Sequence, residues 1–322
     1  MGKTTQRNTN PFKNTDTNKR YYTYDYYLRK RFGGKCAKIP IDAGFTCPNI
    51  DGSRGVGGCI YCSGRGSGDF AESPCLSITE QYRIQREKLS SKWSTDRCIP
   101  YFQAFTNTYA SIEVLKEKYE EAISLDGVVG LNIATRADCI DREKAEYLAS
   151  LAEKTELTVE LGLQSSDDVT ASFINRCHTY EEFLNGYRML NEASDKINVC
   201  VHIILGLPGE DREIMLKTVR DVAALRPEQI KIHLLHVLRG TRLAELYETG
   251  EYAPLEKEEY VSLVADALEL IHEDTVIGRI TGDGMGDELI APLWSRKKVC
   301  VINDVDKLLY ERDSWQGKKF SK

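Results

Sequence analysis

Long apolar runs are missing from this chain: no stretch approaches the roughly 18 uninterrupted apolar residues that a membrane-spanning helix needs. Its first twenty residues, MGKTTQRNTNPFKNTDTNKR, are polar and lack the apolar segment of a secretory signal. The expected setting is therefore a reducing cytoplasm, without membrane contact. Cysteine is scarce for a disulfide scaffold, with ten in 322 residues, well under the roughly 8–10% of that class. Histidine is scarcer still, at five, and there is no HxxxH and only one CxxC, formed by Cys59 and Cys62. No Pro-rich linker or low-complexity segment divides the chain, which argues against independent domains. The apolar share of 41% supports a real core, enough for one large α/β domain with terminal extensions.

Net charge is −6, which argues against a surface that grips nucleic acid everywhere. The distribution is uneven. Residues 1–35 carry nine Lys/Arg against two acids and residues 296–322 carry eight against four, leaving −17 in the middle. Basic ends suit contact with a polyanion, and equally suit plain solvation. Within the first segment, Tyr21, Tyr22, Tyr24, Tyr26 and Tyr27 alternate with Arg20, Arg29, Lys30 and Arg31. Such aromatics stack on unpaired bases, or else pack the segment onto the body.

Three cysteines, Cys47, Cys59 and Cys62, fall in the glycine-rich stretch GFTCPNIDGSRGVGGCIYCSGRGSG, residues 44–68. Pliant backbone of this kind wraps a compact inorganic group. Two ligand sets fit. Zinc would need a fourth thiol, for which Cys75 is the nearest later one in the chain, whereas an iron–sulfur cluster on three thiolates leaves one iron open. Tyr61, beside Cys62, suits a residue shielding such a cluster or simply packing in the core.

Apolar, β-branched runs recur at 37–41, 99–105, 128–134, 157–163, 197–205 and 230–238, separated by amphipathic segments at 78–92, 112–124, 142–155, 180–194 and 210–225. This alternation predicts a parallel sheet with helices outside, an α/β partial (β/α)6 TIM-like barrel. Three segments follow: a basic, aromatic arm at 1–34, the barrel at 35–240, and an extension at 241–322 that covers the barrel and selects substrate. Chemistry in such barrels sits at the C-terminal ends of the strands, and the cysteine loop follows the first one. On the sixth strand, alternation puts Lys231 and His233 on one face and His236 on the other. Lys231, His233 and His202 are the candidate catalytic side chains.

The segments CPNIDGSRGVGGCIYC, YFQAFTNTYA, ATRADC, ELGLQSS and HIILGLPGE together resemble the radical S-adenosylmethionine superfamily. More narrowly the chain is similar to the YhcC/YtqA-type group, related to the radical domain of the Elongator catalytic subunit, over about Arg20 to Lys319. The superfamily's usual loop is CxxxCxxC; here eleven residues fill the first gap, which is the habit of this group.

The resemblance implies a 4Fe-4S cluster on Cys47, Cys59 and Cys62, with S-adenosylmethionine on its open iron as the source of a 5′-deoxyadenosyl radical. It further implies an electron donor such as flavodoxin or ferredoxin. Gln103, Thr106 and Asn107 stand where relatives hold the methionine amine. Gln164 and Arg176 match a ribose and carboxylate pair, Arg136 offers a second carboxylate contact, and Ile203, Leu205 and Leu207 would flank the adenine. His202 replaces an acidic ribose ligand of relatives. The implied substrate is the anticodon loop of tRNA, with wobble carboxymethylaminomethyl-uridine converted to aminomethyl-uridine. A small-molecule or peptide substrate is one alternative, and a non-catalytic zinc-stabilised binding protein is another.

Overall fold

The computed structural model describes residues 10–90, 95–282 and 286–321. Seven strands form one parallel sheet: β1 (Ala37–Ile41), β2 (Cys98–Phe102), β3 (Gly130–Thr135), β4 (Glu156–Gln164), β5 (Ile197–Leu205), β6 (Gln229–Leu234) and, after a two-residue strand β7 (Val237–Leu238), β8 (Val276–Arg279). Their order is β1-β2-β3-β4-β5-β6-β8, every neighbour parallel. β7 pairs instead with β9 (Leu289–Ala291) in a small antiparallel ribbon. The six sequence-predicted strands are all present. A seventh joins them from the C-terminal extension, because Val276 and Ile277 pair with Gln229 and Ile230. Val276–Arg279 is only four residues long and runs into glycine-rich sequence, so its strand character is hidden in the sequence.

The sheet is curled. Neighbouring strands lie about 4.8 Å apart, so β1 and β4 would stand about 14 Å apart if flat. Yet Lys38 on β1 and Lys231 on β6 both reach the carboxylate of Glu160 on β4. Odd residues of β5 (Ile197, Val199, Val201, Ile203, Leu205) face outward into the main core, while His202 faces the lumen. Ile203 and Leu205 therefore do not flank a ligand, a correction to the adenine reading.

Helices α2 (Ile78–Ser90), α3 (Ile112–Ile123), α4 (Arg142–Ala152), α6 (Tyr180–Ala193) and α7 (Arg212–Leu225) cover the outer face, and a short α5 (Asp168–Phe173) lies in the β4–α6 connection. Side-chain caps start them where orphan N–H groups need partners: Asp141, Asp211 and the Thr179/Glu182 capping box. Beyond β7 come α8 (Arg242–Glu248), α9 (Lys257–Leu270) and α10 (Lys298–Glu311), with α9 packed between α7 and α10.

The described part of the N-terminal segment is docked. α1 (Tyr24–Phe32) begins at the Thr23 cap and ends at Gly33, whose φ of 73° suits glycine. It closes the N-terminal end of the barrel: the Tyr27 hydroxyl donates to Glu156 at the start of β4 (2.6 Å), and Arg31 pairs with the same carboxylate. Tyr21 is buried, and Tyr24 lines the lumen. Several of its cations are paired as well: Lys19 with Asp306, Arg20 with Asp313, and Arg29 with Asp16 and Asp25, while Lys13 and Lys30 are exposed. Of the two readings of this segment, packing is the one its geometry carries; residues 1–9 lie outside the described chain. Among the described residues no helix is long and apolar enough to cross a membrane.

Candidate active site

The long β1–α2 loop carries the three cysteines and is tied down by backbone hydrogen bonds. Pro48 accepts from Arg54 N (2.7 Å) and Asn49 O from Gly58 N (2.8 Å). The Asn175 amide donates to Gly58 O (2.6 Å) and Val56 O (3.0 Å), and Ile60 N to Ile174 O (3.1 Å), which pins the loop to the α5–α6 connection. Gly58 sits at φ 72°, where its Cβ-less backbone clears Ile50.

Cys47, Cys59 and Cys62 line one cavity of about 480 Å³ at the C-terminal ends of the strands. Asn49 sits between the first two, accepting from the Cys47 thiol (2.7 Å) and donating to Cys59 (3.4 Å). A hydrogen bond from Cys62, then the Arg176 guanidinium and Asn49, hold the Cys59 thiol well below its ordinary range against the opposing effect of burial. Cys62, which keeps the shared proton, is pushed up. The surroundings of Cys59 thus favour the thiolate, the form a metal ligand takes. Arg176 Nη1 stands 4.0 Å from Cys59 and its Nη2 donates to Gly162 O (2.5 Å), while its buried Nε has no partner. Cys75, the fourth thiol expected for a zinc site, is solvent-exposed and off the cavity. Among the described residues, no three His, Cys, Asp or Glu side chains close on one metal-ion position. Three thiols around an open cavity, one of them beside the Arg176 guanidinium, fit a cluster with a vacant coordination site.

The other expected cofactor residues divide. Gln103, Thr106, Gln164 and Arg176 line the cavity near the thiols. Gln164 does so with φ 78°, a left-handed conformation uncommon outside glycine, at a break in the β4–β5 register. Asn107 is a correction: its amide is committed to the carbonyls of Phe102, Ala104 and Ala134, tying the ends of β2 and β3 together away from the cavity. Arg136 touches the cavity, yet its guanidinium grips Asp138 in a two-pronged pair (2.9 and 2.8 Å) and donates to Arg176 O (2.8 Å). Burial raises Asp138, and Arg136 more than reverses it. Arg136 therefore holds the segment carrying Arg176 rather than standing open for a carboxylate.

Deeper in the lumen a network joins the candidates Lys231, His202 and His233 to Glu160, Lys38 and Asn132, which the sequence reading did not single out. Fully buried Glu160 accepts from Lys38 Nζ (2.9 Å) and Asn132 Nδ2 (2.7 Å) on one oxygen, and from Lys231 Nζ and His202 Nε2 (2.9 Å) on the other. Burial opposes its charge, but Lys231 and Lys38 outweigh it and hold the carboxyl well below its ordinary range. Burial brings Lys38 down to about 7, and burial then Lys231 brings His202 down to about 4. His233 lies 5.1 Å from the His202 ring, is kept neutral by burial and then by His202, and has an unpartnered Nε2. Lys231 and His233 do share the lumen face of β6. His236 reaches the same cavity because β6 ends at Leu234. One signal in the sequence marks this layer: each of β1, β3, β4, β5 and β6 has a polar side chain (Lys38, Asn132, Glu160, His202, Lys231) set in an apolar run, on the lumen-facing alternation.

Comparison with known proteins agrees with this arrangement. Residues 52–222 match the Radical SAM superfamily domain and residues 227–311 the Radical_SAM C-terminal domain. The uncharacterised protein YtqA of Bacillus subtilis is 46% identical over 97% of both chains. A tRNA uridine(34) acetyltransferase of Methanocaldococcus jannaschii is 29% identical over 59% of this chain and 34% of its own length. In fold, the chain superimposes on the archaeal Methanocaldococcus infernus Elp3 with a TM-score of 0.66 at 20% identity, covering 87% of this chain and 64% of that one. Enzymes of this superfamily work with a 4Fe-4S cluster and S-adenosylmethionine, and the thiol-lined half-barrel described here is built for both; the chain belongs to the radical SAM superfamily.

Proposed function

We propose that this radical SAM enzyme modifies the wobble uridine of tRNA, converting a carboxymethylaminomethyl side chain to an aminomethyl one. The carrying observation is that a single cavity joins the three-thiol mouth to a charged floor, so cofactor and substrate side chain share one enclosed space. The kinship with a tRNA uridine(34) enzyme supports the choice of tRNA.

In this reading Cys47, Cys59 and Cys62 hold the cluster, and Gln103, Thr106, Gln164 and Arg176 orient the bound S-adenosylmethionine. Together the two groups supply the carbon radical that abstracts a hydrogen atom. The protein's own residues bind, orient and exclude water. Arg136 keeps the Arg176 segment in place through Asp138. Neutral His233, with one ring nitrogen unpartnered, is the lumen group available to exchange a proton with the substrate amine. The substrate loses one hydrogen atom from the methylene between amine and carboxylate and one further electron to a one-electron acceptor. The resulting iminium is hydrolysed by water, which leaves the amine on the base and releases the two-carbon fragment as an aldehyde acid.

A small-molecule substrate is favoured by one observation: of the four cations set among the tyrosines, Arg20, Arg29 and Arg31 are paired with acids of this chain, while Lys30 stays exposed. Two measurements decide. Nucleosides from tRNA of a deletion strain should accumulate the carboxymethylaminomethyl form, and an unchanged wobble profile rejects the reaction. A tRNA mobility shift that weakens steeply with salt supports tRNA, while no shift favours the small molecule.

A further inference from the structure

The interior of a parallel barrel is ordinarily filled by layers of branched apolar side chains. Below the cofactor level this one has a polar layer with one residue per strand: Lys38, Tyr101, Asn132, Glu160, His202 and Lys231 on β1 to β6. Tyr101 and Asn132 are direct register partners, as are His202 and Lys231. Burying such ions stabilises a fold less than apolar packing of the same volume, so stability alone gives no reason for the layer.

Two amines, Lys38 and Lys231, share the single carboxylate of Glu160, and the neighbouring histidines are neutral. The group therefore carries a positive surplus to the extent that Lys38, brought down to about 7 by burial, is protonated, and a bound carboxylate would favour that form. The ring of Tyr101 bears part of this surplus, with Lys38 Nζ 3.8 Å and Lys231 Nζ 4.8 Å from the centroid. Each ammonium has three N–H donors and gives one to Glu160. Both side chains line the cavity, so their remaining donors face its interior.

We propose that Lys38 and Lys231 form the anchor for a carboxylate on the substrate, with Glu160 fixing their spacing and Tyr101 as the platform beneath. This rests on the wobble-uridine reading, in which the side chain to be shortened ends in a carboxylate. Anchoring that end limits which C–H bond meets the cofactor end of the cavity. It also gives the enzyme a reason to release its product, because the shortened side chain ends in an amine and meets a positive floor.

The test compares holoenzyme of wild type, Lys38→Gln and Lys231→Gln on tRNA bearing carboxymethylaminomethyl-uridine and on the same tRNA with its carboxylate replaced by a neutral carboxamide. Wild type should favour the carboxylate at least about ten-fold in kcat/KM. Each variant, checked for iron content and melting temperature, should lose most of that preference through KM. Substituting the substrate needs no refolding, so wild type alone decides if a variant fails to fold. An active wild type without preference overturns the anchor and leaves the tRNA reading standing, as does a preference that persists in folded variants. A wild type inactive on the carboxymethylaminomethyl tRNA overturns both.

Discussion

The mouth and the floor of the cavity are built in opposite ways. At the mouth, chemistry is concentrated in one loop: three cysteines within sixteen positions, 47 to 62, stitched by backbone hydrogen bonds. On the floor it is dispersed, with each of six strands contributing a single side chain that converges only because the sheet curls. A loop of this kind can lose a ligand and keep its fold, since its stability comes from main-chain bonds. The floor is different, because removing one charge leaves its partners buried without compensation.

The largest effect should follow from breaking the mouth. Cys47→Ala should abolish iron binding and turnover while circular dichroism retains the wild-type helix signal; a variant that keeps both cluster and activity would end the assignment. Next comes the floor. Glu160→Leu sets two buried ammonium groups against each other and should cost about 3–5 kcal/mol, read from urea unfolding under anaerobic conditions. Equal stability losses for Cys47→Ala and Glu160→Leu would erase the contrast between the two regions.

Acid should sharpen it. Folded His202 titrates near 4, whereas an unfolded histidine titrates near 6.5, so the unfolded chain binds more protons in between. Stability therefore falls as pH drops from about 6.5 to about 4, by of the order of 1–3 kcal/mol. Glu160, held well below its ordinary range, adds a loss below about 4.5 as its carboxylate is protonated. His233 and His178, also held below the ordinary range by burial, add to the same window, so His202→Gln should reduce its slope in urea midpoints measured at several pH values without abolishing it; an unchanged slope would place the titration elsewhere. The smallest effect belongs to a support of the mouth. A Cβ on Gly186 of α6 would stand 2.1 Å from Ala137 O, beside the turn bearing Arg136 and Asp138. Gly186→Ala should cost about 1–3 kcal/mol and reduce turnover several-fold with the iron content intact.

This contrast also governs what could be read from the sequence. The strands at Ala37–Ile41 and Ile197–Leu205 have the bounds that their apolar runs predict, because local pattern and burial agree there. The cysteine triplet was equally plain, being confined to one glycine-rich loop. Glu160 was not, since ELTVELGL reads as one more apolar strand until the alternation is assigned to a face. β8 escaped notice because pairing with β6 compensates for its shortness. Tyr24 and Tyr27 illustrate a third case: an aromatic, basic pattern suits nucleic acid and barrel closure alike, and only tertiary contacts separate the two.

The central claim is that the three thiols hold a cluster whose open coordination position faces the substrate cavity. The most direct measurement is electron paramagnetic resonance of the reduced, anaerobically reconstituted protein, with iron and sulfide counted and S-adenosylmethionine then added. About four irons per chain and a spectrum that shifts on addition are the predicted result. One zinc without iron, or a cluster whose signal ignores S-adenosylmethionine, would contradict it.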